Sequence, residues 1–141
     1  MTKQVTDVIP HLVVDDAAAA LEFYKKALGA EEVMRLPAED GKRLMHSEIK
    51  VGDARIFVRD AFPEHCPSGG KDGTPKTLGG TPVTLHLYVP NCDAAVERAA
   101  GAGATVVMAP WDAFWGDRYA QVADPFGHAW SFAHHLEPVT A

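Results

Sequence analysis

Shifted against itself by 75 residues, the chain superposes His11-Leu12 on His86-Leu87, Val14 on Val89, Ala19-Ala20 on Ala94-Ala95 and Glu22 on Glu97. After a one-residue deletion the register resumes with Gly29-Ala30 on Gly103-Ala104. A repeat of this length is one supersecondary unit used twice, so the fold must set two equivalent units against each other. Each unit opens on a strand rich in β-branched and aliphatic residues, Val8 to Val14 and Val83 to Val89. A helix follows in each. The first has Asp15 or Asp16 as its cap, an apolar stripe at Leu21, Tyr24 and Leu28, and Gly29 just past its end. The second has Asn91 as its cap and stops at Gly101 or Gly103. Three shorter strands then come in each half: about Glu31 to Leu36, Leu44 to Val51 and Ala54 to Asp60, and about Thr105 to Met108, Tyr119 to Ala123 and His128 to His134. The pattern is βαβββ, twice.

This predicts one α+β domain over residues 1–141, with a first module at 5–60, a linker or lid at 61–82 and a second module at 83–136. The linker holds four prolines and five glycines in 22 residues, long for a plain connector. Helices on one face of each sheet leave the other face to curve around something, so the two modules are expected to form a curved mixed sheet around a cleft. At 141 residues the chain can bury about two-thirds of its extended surface without disulfides. Cys66 and Cys92 are in neither CxxC nor CxxH context and read as reduced, incidental thiols. A net charge of −6 argues against a nucleic-acid partner, which calls for a basic stripe. No apolar run approaches a membrane span, and Asp7, Pro10 and His11 sit where a signal peptide needs its apolar core, so no membrane partner and a cytoplasmic location are expected. No GxSxG elbow, HExxH or phosphate loop is present; Gly70-Lys71 is followed by Asp72.

The paired halves, the helix AAAALEFYKKALGAEEV and the hairpin DPFGHAWSF resemble the vicinal oxygen chelate superfamily, which includes glyoxalase I, bleomycin-binding proteins and extradiol dioxygenases. MHSEIKVGDARIFV, LGGTPVTLHLYV and FWGDRY look most like its PhnB-like branch, whose members mostly lack an assigned reaction. The resemblance implies a homodimer with clefts completed across the interface, and one divalent metal held by the first and last strand of each half. Here those four positions fall on Ile9, Phe57, Thr84 and Ser131, none a usual ligand, so the ordinary metal site is expected to be absent. A shift of two residues would bring in His11 and His86 instead, the alternative being a divalent-metal-dependent lyase, isomerase or dioxygenase acting on vicinal oxygens.

Residues two apart on a strand share a face. The cleft-facing sets are therefore Ile9, His11 and Val13; Arg55, Phe57 and Arg59; Thr84, His86 and Tyr88; and Ala129, Ser131 and Ala133. His11 and His86, at equivalent positions of the two halves, suit ligand binding, acid–base work or a metal, or are paired core histidines. Arg55 and Arg59 suit a carboxylate or phosphonate, or form rim salt bridges. That pair speaks against a cationic drug of the kind that bleomycin-binding relatives take. His46 and Glu48 read as a solvated polar pair. Ala109 to Tyr119 reads as an aromatic loop whose Trp111, Trp115 and Arg118 line the site, with Asp117 and Arg118 bracing it and Trp130 in the core. The expected function is small-molecule binding in the cleft, with no assigned reaction and no required cofactor.

Overall fold

A computed structural model describes residues 4–66 and 72–138. In the first half β1 (His11–Val14), α1 (Ala17–Leu28), β2 (Glu31–Pro37), β3 (Leu44–Val51) and β4 (Ala54–Asp60) follow one another. A single 3-10 turn at Pro63–His65 and a short α2 (Pro75–Leu78) occupy the connection. The second half runs β5 (Thr84–Tyr88), α3 (Cys92–Ala102), β6 (Thr105–Asp112), β7 (Asp117–Ala123) and β8 (Ala129–His135). The part of the expected linker at 67–71, with Gly70-Lys71, lies outside the described residues.

Each half is a four-stranded mixed sheet, ordered β1-β4-β3-β2 and β5-β8-β7-β6, with the first strand parallel to the last and the remaining pairs antiparallel. The tandem-module α+β fold is thus present. Among the described residues no strand of one sheet pairs with a strand of the other. The halves meet instead through α1 against α3, so each sheet keeps an open face of its own.

Local chemistry sets the helix ends. Asp16 accepts from the Ala19 amide at 3.1 Å and Asn91 from the Ala94 amide at 3.0 Å, each satisfying a donor that the helix start leaves free. A second anchor comes from the last strand of each half. Asp60 takes the amides of Ala17 and Leu44 on its two oxygens, and His134 Nδ1 takes the Cys92 amide at 2.8 Å. The apolar side of α1 buries Leu21, Phe23 and Tyr24 against Val14, Ile49 and Val58. Each fully buried side chain of this kind contributes roughly 2 kcal/mol.

The core continues across the two halves. Tyr24 packs on Trp130 with ring centroids 5.4 Å apart and donates its hydroxyl to Asp124 Oδ2 at 2.6 Å. Asp124 also accepts from Trp130 Nε1 and from the amides of Phe126 and His128. His128 Nε2 in turn reaches the Val13 carbonyl at 2.9 Å. Burial next to the Asp124 carboxylate pushes the Tyr24 phenol well above its ordinary range. The connection is clasped on by Lys76 to Asp15 and by Pro75, which sits where a Cβ on Gly127 would stand.

Candidate functional site: two open sheet faces

Burial alternates along the strands as the pleat requires. Leu12, Val14, Ile56 and Val58 lie under the helices while His11, Arg55, Phe57 and Arg59 take the open face of the first sheet. There His46 stands edge-on to Phe57, centroids 4.6 Å apart, and His11 sits 5.7 Å from Phe57 and 6.1 Å from His46. Burial lowers the His11 pKa below its ordinary value, with Arg59 and His46 adding repulsion. Both arginines are already neutralised. Arg55 holds Glu48 through two hydrogen bonds and reaches Asp7, and Arg59 holds Asp72 on both oxygens. The Arg59 hydrogen bonds bring the Asp72 carboxyl down to about 2. Glu48, expected beside His46 as a polar pair, is instead the partner of Arg55. The rim salt-bridge reading of the arginines is the one the structure supplies.

The open face of the second sheet is aromatic. Thr84, His86 and Tyr88 on β5 share it with Ser131 on β8, with Tyr119 and Gln121 on β7 and with Trp111 on β6. His86 Nδ1 lies 2.6 Å from Ser131 Oγ, its ring 5.9 Å above Tyr119 and 4.8 Å from Tyr88. Trp115 stands edge-on to Tyr119 and to Trp111 at 5.5 and 5.8 Å. Trp111 and Trp115 are 39% and 50% exposed, so large aromatic area is left uncovered. The flanks of the expected loop are strand, and only residues 113–116, with Trp115, form the turn between them. β6 runs on through Pro110 and Trp111 because two register shifts, between Val106 and Met108 and between Met108 and Trp111, absorb the proline on an edge strand. Trp130, as expected, is core.

Arg118 departs from the sequence reading. It lies beside Tyr119 on the strand and therefore points to the opposite, helix side, where it grips Asp93 of α3 on both oxygens and Asp112. The Asp117–Arg118 brace is replaced by Asp117 with His135, 2.7 Å apart. Tyr119, Gln121 and His135 were missed as face residues; extending the strand parity of Ser131 across β7 would have found the first two.

His11 and His86 do not meet within the chain. They stand on separate sheets, the first against His46 and Phe57 and the second against Tyr88, Tyr119 and Ser131. The four positions that the resemblance assigns to a metal offer an alkyl group, a phenyl ring and two neutral hydroxyls, one of them occupied by His86. Among the described residues no three His, Cys, Asp or Glu side chains converge as a metal would require. The donor set does not fit the group.

The model of the Glyoxalase/Bleomycin resistance protein/Dioxygenase superfamily matches residues 5–132. Uncharacterized protein Mb0911c of Mycobacterium bovis is 52% identical over 130 residues, 92% of this chain and 84% of that protein. Among solved structures, TioX from Micromonospora sp. ML1 superposes with a TM-score of 0.72 at 25% identity, covering 94% of this chain and 100% of TioX. The PhnB protein from Bacillus cereus superposes with a TM-score of 0.68 at 12% identity, over 92% of this chain and 99% of that one, a likeness of fold.

Proposed function

The chain belongs to the Glyoxalase/Bleomycin resistance protein/Dioxygenase superfamily, and from that premise we propose that it is a cytoplasmic homodimer that binds a planar aromatic small molecule against the second sheet's open face. The observation that carries this reading is the set of exposed Trp111, Trp115, His86 and Tyr88 around half-buried Tyr119, side chains whose rings suit stacking on a flat ligand. The first sheet's open face, with His11, His46 and Phe57, supplies the opposite wall when a second copy presents it. Val33, Met34 and Leu36 on β2, with Val106, Val107 and Met108 on β6, are exposed apolar groups of the kind that such an assembly covers. With Arg55 and Arg59 held by carboxylates, a neutral or cationic ligand is favoured over an anion here. No helix among the described residues is long and apolar enough to cross a membrane.

The test is a panel of planar aromatic compounds, read by tryptophan emission, since Trp111 and Trp115 are exposed and Trp130 is buried. A ligand of this class quenches the wild type, loses at least tenfold in affinity in Trp115→Ala and Tyr119→Ala, and keeps its affinity in Arg118→Gln. A hit that binds all three variants equally overturns the site. Sedimentation in the same buffer reads the dimer, and a monomer at ligand-binding concentrations overturns the two-walled cleft.

A further inference from the structure

Between α3 and the β3–β4 turn the molecule holds a second concavity, a groove of about 920 Å³. Its floor is apolar, built from Ala27, Leu28, Val51, Leu87, Ala95 and Phe132. This volume lies within the range of roughly 300–1,000 Å³ that holds small organic ligands. Only His86 and Tyr88 are shared with the aromatic face.

Among the described residues one arginine, Arg98, lines the groove, and its situation is unlike that of the other arginines. Arg35, Arg43, Arg55, Arg59 and Arg118 each hold a carboxylate. Arg98 has none among the described residues, although the chain carries a net charge of −6. Its Nε donates to the Lys26 carbonyl at 2.8 Å, and its Nη1 and Nη2 lie 3.4 Å from where a Cβ on Gly29 would stand. The guanidinium is thus tethered by one N–H, while among the described residues its terminal nitrogens meet no acceptor, leaving donors of the kind that take a carboxylate bidentately. Asp53, on the β3–β4 turn, also lines the groove and opposes a second negative charge there.

We infer that this groove binds a monocarboxylic acid with an extended apolar body, its carboxylate on Arg98 and its hydrocarbon along the floor. The site adjoins the aromatic face at His86 and Tyr88, but its carboxylate anchor and its floor are its own, so it does not rest on the reading of that face. The experiment is isothermal titration of the full chain with decanoate, decan-1-ol and decanedioate. Decanoate saturates one site per chain, while the alcohol and the diacid bind at least tenfold more weakly. Arg98→Gln weakens decanoate at least tenfold, Ala95→Trp fills the floor and removes binding, and Trp115→Ala leaves it unchanged. Absence of saturation in the wild type, equal binding of the alcohol, or undiminished binding in Arg98→Gln overturns the proposal. Arg98→Gln decides the matter if Ala95→Trp does not fold. A dimer that Ala95→Trp dissociates, with no heat from decanoate, gives the groove to a second copy of the chain and likewise overturns it.

Discussion

The two halves perform the same structural tasks with different side chains. Where α1 presents Phe23 and Tyr24, the repeat places Arg98 and Ala99 on α3. Tyr24 and Phe23 reach the β7–β8 turn, whose Phe126 and Asp124 meet them, and that side of the molecule is filled. On the other side α3 turns Ala94, Ala95 and Arg98 toward the facing β3–β4 turn, which is only Gly52-Asp53, and a groove stays open. The helix anchors differ in the same way. Asp60 holds the first amide of α1 and the Leu44 amide, whereas its counterpart His134 holds only the first amide of α3. Duplication fixed the backbone plan, and the side chains then made one junction a core and left the other a cavity.

Breaking the filled junction is expected to have the largest effect. Asp124→Ala strands four donors, those of Tyr24, Trp130, Phe126 and His128, and costs about 3–5 kcal/mol in urea unfolding. The matching change on the open side, Asp53→Ala, stays within about 0.5 kcal/mol. A comparable loss from both would erase the distinction. Next come the helix anchors: Asp60→Ala removes two buried acceptor bonds and costs about 2–4 kcal/mol, against about 1–2 kcal/mol for His134→Ala, read by thermal melting. Tyr24→Phe keeps the ring and loses only the bond to Asp124, about 1–2 kcal/mol.

Two smaller effects concern the first sheet's rim. Arg59 depresses the Asp72 carboxyl to about 2, so its contribution is complete above the ordinary carboxylate range, near about pH 4, and is lost as pH falls through about 2. Asp72→Asn flattens that stretch of the acid stability profile by about 0.5 kcal/mol, the pair being partly solvated. The smallest is His11, whose imidazole resonances titrate below the ordinary 6.5 because burial, Arg59 and His46 disfavour its proton. Arg59→Gln raises that midpoint, and a His11 midpoint above 6.5 in the wild type would contradict the arrangement.

Strand parity is a local property, so the faces of His11, Phe57, His86 and Ser131, and the burial of Trp130, were legible from residue spacing alone. Ion-pair choice was not. Arg55 takes Asp7 from 48 residues away, and Arg59 takes Asp72 from the far side of the 3-10 turn, pairings that only tertiary placement decides. The side taken by Arg118 was not legible, because the strands read from the sequence end at Met108 and resume at Tyr119, leaving Arg118 outside any pleat. Once Trp111 and Tyr119 are recognised as paired residues, Arg118 must point the other way. The separation of the two sheets was hidden as well, since a repeat predicts equivalent units but not which faces they turn toward each other.

The bond from Ala17 to Asp60 spans 43 residues, whereas Tyr24 to Asp124 spans 100 and Val13 to His128 spans 115. Closing the shorter loops within a half costs less chain entropy than joining the halves, so the expected order is assembly of each half before docking, read by comparing folding and unfolding rates of variants at the junction. Docking contacts absent from the folding barrier act on the rate of escape from the native state. Tyr24→Phe therefore accelerates unfolding and leaves the folding rate nearly unchanged, making the Tyr24–Asp124 bond a clasp on kinetic lifetime.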